Sequence, residues 1–490
     1  SRVRCVSEPD NTWCNAESGK TFDVENPFTE EVIAKVPASD EADINKAVAA
    51  AKTAFGDWRR LTAGERKDYM RTMANKSREH AEEIAKTISS EMGKPFEDAL
   101  GEIEDVAEYL EYYSEMARDH VGRIVAPVVE KSMSLVRYEP YGVVGCIIPW
   151  NYPLSLMGWK LAPALAAGNT IVMKPSEITS LSILHWIELA GGNMPAGVMN
   201  VVTGLGGEAG EALVKHPDVP ILTFTGSVQT GKRIARLAAD NLKKVSLELG
   251  GKDPVIVCDD ADIEVAAKGS AWGGFLNSGQ VCTSVERVYV FESIADKFTE
   301  ALVEEAKKVR LGDPFAIGTD VGPMSSKMQL SNTINKVDLA KKEGARVLTG
   351  GKQSDQFEKG YFYEPTVFDQ VTPNMEIIME EAFSPVIPVQ RVKSLDEAIT
   401  MSNSTRYGLG CSIFTRDIER ALTAADNIQA GTFCINSPLM ENMAAPFGGM
   451  KQSGIGREHG LEALEEFREA KHIFIDYDHS NKDWWFGNEE

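Results

Sequence analysis

What this 490-residue chain lacks narrows its function before any motif is read. Its seven cysteines, at positions 5, 14, 146, 258, 282, 411 and 434, form an odd, scattered set with no CxxC, which argues for a reducing compartment rather than a disulfide framework. That compartment is taken as the cytoplasm, with an organellar matrix left open. The seven histidines include no HExxH and no close pairing with cysteine, so no metal site and no Cys–His dyad is expected. Basic residues are outnumbered: 51 Lys and Arg against 73 Asp and Glu give a net charge of −22, which excludes a nucleic-acid partner that needs cations to displace counterions. No apolar run is long enough to span a bilayer, and the first residues carry no apolar signal core, so neither a membrane nor a secretory leader is expected. Internal repeats, low-complexity tracts and long linkers are also missing.

What remains is a globular chain too long for one core, with length alone suggesting roughly two to four domains. The first part reads as helices. One runs over Ser39–Phe55 with Ser39 or Asp40 as its cap, a second from Thr62, in capping-box spacing with Glu65, to Gly93, and a third over Phe96–Ala117. Residues 123–141 read as a hairpin. The pattern then becomes regular. Apolar runs at Val143–Ile148, Thr170–Met173, Met199–Val202, Ile221–Phe224 and Val245–Leu247 alternate with helical segments near Leu154–Ala167, Leu181–Leu189, Glu208–Lys215 and Val228–Ala239. This is the signature of a Rossmann-like parallel sheet covered on both faces, in which ligands sit at the carboxyl ends of the strands. A second α/β region starts after Gly250, with a strand at Pro254–Cys258 and another from Arg287, and the chain closes with a strand near 471–477.

The strand ends carry the chemistry. Asn151, inside Pro149-Trp150-Asn151-Tyr152-Pro153, can donate to a developing oxyanion or simply serve a turn. Lys174 and Glu177 end the second strand. An acidic residue there can hold the ribose of NAD and repel a 2′-phosphate, which favours NAD over NADP, although both residues also suit a solvated loop. Two glycine-rich turns, Gly204–Ala209 and Gly226–Gly231, compete for a pyrophosphate at a helix N-terminus. Glu248, in an apolar setting, is either a general base of raised pKa or a paired structural carboxylate. Cys282 sits in Asn277-Ser278-Gly279-Gln280-Val281-Cys282-Thr283-Ser284, between a helical run and a strand. There it is either a nucleophile near backbone donors or a small buried hydrophobe.

Taken together, PWNYP, KPSE, FTGSxxxG, LELGGK, GQVCTS, EEAFSPV and the PFGGxKxSGxGRE run at 446–458 resemble the aldehyde dehydrogenase superfamily nearly end to end. The resemblance implies an α/β fold with an NAD-binding domain (1–122 and 142–250), a catalytic domain (251–467) and an oligomerisation element (123–141 and 468–490). It implies Cys282 as nucleophile, Glu248 as the base for the deacylating water, Asn151 with the Cys282 N–H as oxyanion hole, and Lys160 in a nearby proton network. Lys174, Ser176 and Glu177 would hold the adenosine ribose, Gly226, Ser227 and Gly231 the pyrophosphate, and Glu381 the nicotinamide ribose. Trp150, Leu249, Gly250 and Phe383 would complete the cofactor site. The contest of glycines then falls to Gly226–Gly231. Oxidation would run through a thiohemiacetal and a thioester, with an aldehyde as substrate and NAD as cofactor.

Ser384 stands where the family often has Gly, and the segment 436–443 carries an unusual Glu441. With Tyr152, Trp159, Val281, Thr283, Asn436 and Phe447 as pocket residues, and Glu102 and Asp105 placed at the channel mouth, this points to polar or amino-substituted aldehydes. The exposed-looking Trp484, Trp485 and Phe486 point to a homo-oligomer, a dimer or tetramer. The rival readings are a CoA-acylating semialdehyde dehydrogenase and a catalytically inactive relative. In both, the pair Cys282 and Glu248 would not be expected.

Overall fold

The computed structural model describes residues 5–6 and 13–486. Five parallel strands, Val143–Ile147, Thr170–Lys174, Met199–Val201, Ile221–Gly226 and Lys244–Leu249, lie across the first sheet in the order fifth, fourth, first, second, third. The chain therefore reverses direction of travel between Val143–Ile147 and Ile221–Gly226. A crevice opens at the carboxyl ends of those two strands. Helices cover both faces. On one, Pro153–Ala167 and Phe96–Asp119 bury Leu154, Leu161, Val106 and Leu110; on the other, Glu41–Trp58 and Val228–Ala239 bury Ile44, Val48 and Ile234.

Local signals start the helices as expected. Asp40 Oδ1 accepts from Ala42 N at 2.9 Å, and Thr62 and Glu65 exchange bonds in a capping box. The single helix expected over 62–93 is two, Ala63–Glu79 and Ala81–Met92, because His80 leaves helical geometry at φ −106° and ψ 16°. No Gly or Pro marks that break; burial of Ile84, Ala85, Ile88 and Met92 sets the new direction.

The second sheet has seven strands, with Val285–Phe291 at its centre between Val386–Val392 and Asp253–Val257. Gly454–Ile455 leaves the second region and pairs antiparallel with Lys244–Leu249 of the first sheet. Arg468–Asp476, Ser132–Pro140 and Gly122–Val125 form a separate antiparallel sheet, joining the chain end to the hairpin. Ile124, Phe474, Trp484 and Phe486 are exposed around it.

Candidate active site

At the crevice between the two sheets lies a cavity of about 290 Å³. The region of the first sheet lines it with Trp150, Asn151, Gly226, Ser227 and Glu248–Gly250 at the end of the strand Lys244–Leu249; that of the second supplies Cys282 and Glu381–Phe383. The cavity also holds Gln329, Asn332 and Lys336, which the sequence reading missed. Their spacing places them on one face of the helix Lys327–Glu343, so a polar stripe at helical period was the available signal.

The loop before Cys282 is built by backbone strain. Asn277, Ser278 and Gly279 are consecutive residues at φ 52°, 58° and 69°. A Cβ on Gly279 would collide with the carbonyl of Ser384, so only glycine fits there. Side-chain amides hold the strained turn. Asn277 Nδ2 donates to the Asn151 carbonyl at 3.1 Å and Asn151 Nδ2 donates to the Gln280 carbonyl at 3.1 Å. Ser325 N donates to Gln280 Oε1 at 3.0 Å. Asn151 is thus tied to the nucleophile loop, with its amide nitrogen beside it. Cys282 is half-buried, and its thiol is held well above the usual range by burial, then by the charge of Glu248. Burial and the surrounding carboxylates thus both disfavour its thiolate.

Glu248 is 3% exposed and neither carboxylate oxygen has a hydrogen-bond partner. Burial pushes its pKa well up, Glu458 adds to this, and Lys160 opposes it. An unpartnered buried carboxyl is costly to keep, which suits a group awaiting water. In the parallel register Thr225 lies opposite Glu248. Lys160 Nζ donates to Thr225 Oγ1 at 2.6 Å and pairs with Glu458. Glu458 was quoted only within its motif; the structure makes it the counter-ion of Lys160.

Of the expected cofactor residues, Trp150, Gly226, Ser227, Leu249, Gly250, Glu381 and Phe383 line the cavity, and Lys174, Ser176, Glu177 and Gly231 lie outside its lining. Ser227 caps the helix Val228–Ala239 through Thr230 N at 3.2 Å and is itself exposed. Gly231 must be small because a Cβ would come within 2.5 Å of Leu249. The competing Gly204 turn instead leads into a π turn at Gly206–Gly210 and the short helix Glu211–Lys215. Lys174 is buried, donating to the carbonyls of Pro175 and Gly204 at 2.8 Å, with Glu177 at 3.7 Å. Ser176 Oγ accepts from Ile178 N at 3.3 Å. A Cβ on Gly250 would strike the Glu381 carboxylate, so the backbone leaves a cradle there. Glu381 accepts from Gly251 N at 3.1 Å and is raised to about 8 by burial, then by Glu286. Phe383 sits at φ 52° and packs edge-on to Trp150 at 5.4 Å. An exposed helix N-terminus, a cradle without Cβ atoms, a half-buried acid at Glu177 and a second at Glu381 fit an extended dinucleotide.

On the other side of Cys282, Trp159 packs against Phe447 at 5.0 Å and against His459 at 4.2 Å. His459 bonds Tyr109 Oη at 2.9 Å and is pushed down to about 3 by burial, then by Lys160. His459 and Tyr109 were not foreseen. Thr283, Glu441 and Phe447 line one small cavity, and Val281 is buried beside it in chain. Glu441 is an exposed residue, yet burial of its carboxylate among protein atoms raises it to about 7, with Asp105 and then Glu458 adding to this.

Three placements correct the sequence reading. Asn436 faces away: its Oδ1 accepts from Thr415 N at 3.0 Å and it lines a different surface cavity. Glu102 lies at no channel mouth; it is 2% exposed, paired with Lys94 at 2.5 Å, and accepts from Leu154 N and Ser155 N at the start of the helix carrying Lys160. Tyr152 has one ring face covered by Lys94 Nζ, 3.3 Å from its centroid, so that face holds no ligand cation.

Comparisons with known proteins agree on one family. A profile described as the Aldehyde dehydrogenase family matches residues 13–473. Aminoaldehyde dehydrogenase 1, peroxisomal, of Pisum sativum is 41% identical over 91% of both chains. Betaine aldehyde dehydrogenase of Bacillus subtilis is 41% identical over 95% of this chain and 96% of its own. The crystal structure of betaine aldehyde dehydrogenase from Staphylococcus aureus in complex with NAD+ superposes with a TM-score of 0.95 at 38% identity, covering 98% of this chain and 97% of that one.

Proposed function

Because this chain belongs to the aldehyde dehydrogenase family and oxidises aldehydes with NAD, we propose that Cys282, Glu248 and Asn151 carry the reaction and that its substrates are amino-substituted aldehydes. The Cys282 thiolate adds to the carbonyl carbon, and the oxyanion that forms is stabilised by the Asn151 amide and the Cys282 N–H. Bound NAD supplies the two-electron acceptor that turns the adduct on sulfur into a thioester. Glu248, which keeps its proton affinity through burial, then takes a proton from water so that hydroxide attacks the thioester and Cys282 leaves. Lys160 and Glu458 hold the proton network behind Thr225.

The single observation that carries the substrate assignment is Glu441, whose charge acts on both Cys282 and Tyr152 beside the aromatic cluster of Trp159 and Phe447. A carboxylate at that position attracts an ammonium group and gives an aliphatic tail nothing. The similarity to the aminoaldehyde dehydrogenase of Pisum sativum and the betaine aldehyde dehydrogenase of Bacillus subtilis supports the same class. Specificity constants for 3-aminopropanal and hexanal test it: the amino compound is expected to be ahead by about tenfold. A clear hexanal preference overturns the assignment.

The same reading makes the protein a homo-oligomer. Ile124 and Phe474 on the three-stranded sheet, with Trp484 and Phe486 in the tail, are 48–108% exposed, an apolar patch that a second copy would cover. Light scattering at micromolar concentration is expected to give a dimer or tetramer; a monomer mass refutes this. Cytoplasmic residence also belongs to this reading, supported by the free thiols of Cys146, Cys258, Cys282, Cys411 and Cys434. Among the described residues no helix is long and apolar enough to cross a membrane.

A further inference from the structure

We infer that Glu286, four residues after Cys282, is a positioning residue that sets the Glu381–Ser384 loop against the cofactor half of the cavity. The inference rests on the proposed role of Glu381 and deepens it. Glu286 lies on the central strand Val285–Phe291 and is 2% exposed. Its two carboxylate oxygens are fully engaged: Oε2 pairs with Lys252 Nζ at 2.6 Å and accepts from Ala382 N at 2.9 Å, while Oε1 accepts from Phe383 N at 2.8 Å.

The placement of Lys252 gives the pair its reach. Lys252 follows Glu248 by four residues, as Glu286 follows Cys282. It is 1% exposed, and its carbonyl accepts from Arg287 Nε at 2.8 Å. The ion pair therefore joins the segment that bears the base, the segment that bears the nucleophile, and the loop that bears Glu381. Gly251, between Glu248 and Lys252, approaches so closely that a Cβ there would lie 2.5 Å from the Cys282 carbonyl.

The loop needs such a hold. Phe383 is a bulky residue at φ 52°, a conformation that persists only where the surroundings over-determine it. Its other polar groups are also gripped by side chains. Gln329 Nε2 donates to the Phe383 carbonyl at 2.7 Å, Ser384 Oγ donates to the Ala382 carbonyl at 2.8 Å, and Lys336 donates to the Glu381 carbonyl. Glu286 accepts from the consecutive N–H groups of Ala382 and Phe383, and it does so with a charge.

The test uses the full-length enzyme in two forms, Glu286→Gln and the double variant Lys252→Met/Glu286→Gln. The single variant leaves a buried ammonium without its partner; the double variant removes that charge and keeps the side-chain volumes, so it is expected to melt above the single one. In both, the KM for NAD is expected to rise about tenfold or more, the size of loss that follows when a loop is displaced by about 1 Å. Alkylation of Cys282 by iodoacetamide in the cofactor-free enzyme is expected to stay within about twofold of the parent, which a general collapse of the site would not allow. An NAD KM within about twofold of the parent in the double variant overturns the role of Glu286, as does a parallel loss of alkylation rate. Glu381→Gln is the control: if it leaves the KM for NAD unchanged, the cofactor role of Glu381 fails, and that failure is separate from the behaviour of Glu286.

Discussion

The Glu381–Ser384 loop and the Asn436–Ala445 segment each bring a carboxylate whose charge is felt at Cys282, and they are held in opposite ways. The first is clamped by side chains from the central strand of the second sheet and from the helix Lys327–Glu343. The second is largely exposed, with a short-range bond from Ala444 N to Asn442 Oδ1 at 2.9 Å and a tie to the second sheet through Thr415 N and Asn436 Oδ1 at 3.0 Å. Rigid support marks where geometry must be the same in every turnover, beside a common cofactor. The looser segment, under the proposed reading, is where different aldehydes would be accommodated without disturbing the chemistry.

That contrast can be broken most sharply at the fixed side. Cys282→Ala is expected to lower steady-state NADH production by about 10⁴-fold or more, while NAD still protects the protein against heat. Glu248→Gln should lose about 10²–10³-fold at steady state, because deacylation alone needs the base. Rapid mixing should then show a burst of NADH followed by a stall. Steady turnover in Glu248→Gln would show that another group activates the water.

Much of the fixed side was legible from the chain because its residues end strands and sit in turn chemistry. Trp150, Asn151, Gly226, Ser227 and Glu248 follow or close apolar runs whose alternation with helices announces the crevice. What could not be read was pairing across large separations. Lys252 with Glu286, Lys160 with Glu458, and His459 with Tyr109 are joined only by the fold. The same limit explains the errors. Glu102, which the resemblance places at a channel mouth, is instead taken up by Lys94 and the N-terminus of Pro153–Ala167, both brought to it by the fold. Asn436 lies next to the right segment, yet its positive φ of 60° accompanies a side chain that accepts from Thr415 N.

A gentler probe acts on the exposed side through pH. Glu441 is raised to about 7, chiefly because protein crowds its carboxylate, with Asp105 and Glu458 adding repulsion. A raised carboxyl is neutral below that value and ionised above it, so its attraction for a substrate ammonium is absent at pH 6 and present at pH 8. An aliphatic amine stays protonated across this window, since its own pKa is about 10. The ratio of kcat/KM for 3-aminopropanal to that for propanal is therefore expected to rise about fivefold between pH 6 and pH 8, equivalent to about 1 kcal/mol for a solvent-screened charge pair. In Glu441→Gln the ratio should be flat, while any pH dependence common to both substrates should remain. A ratio that still climbs in Glu441→Gln would move the ammonium site to Asp105, whose carboxyl burial raises to about 6.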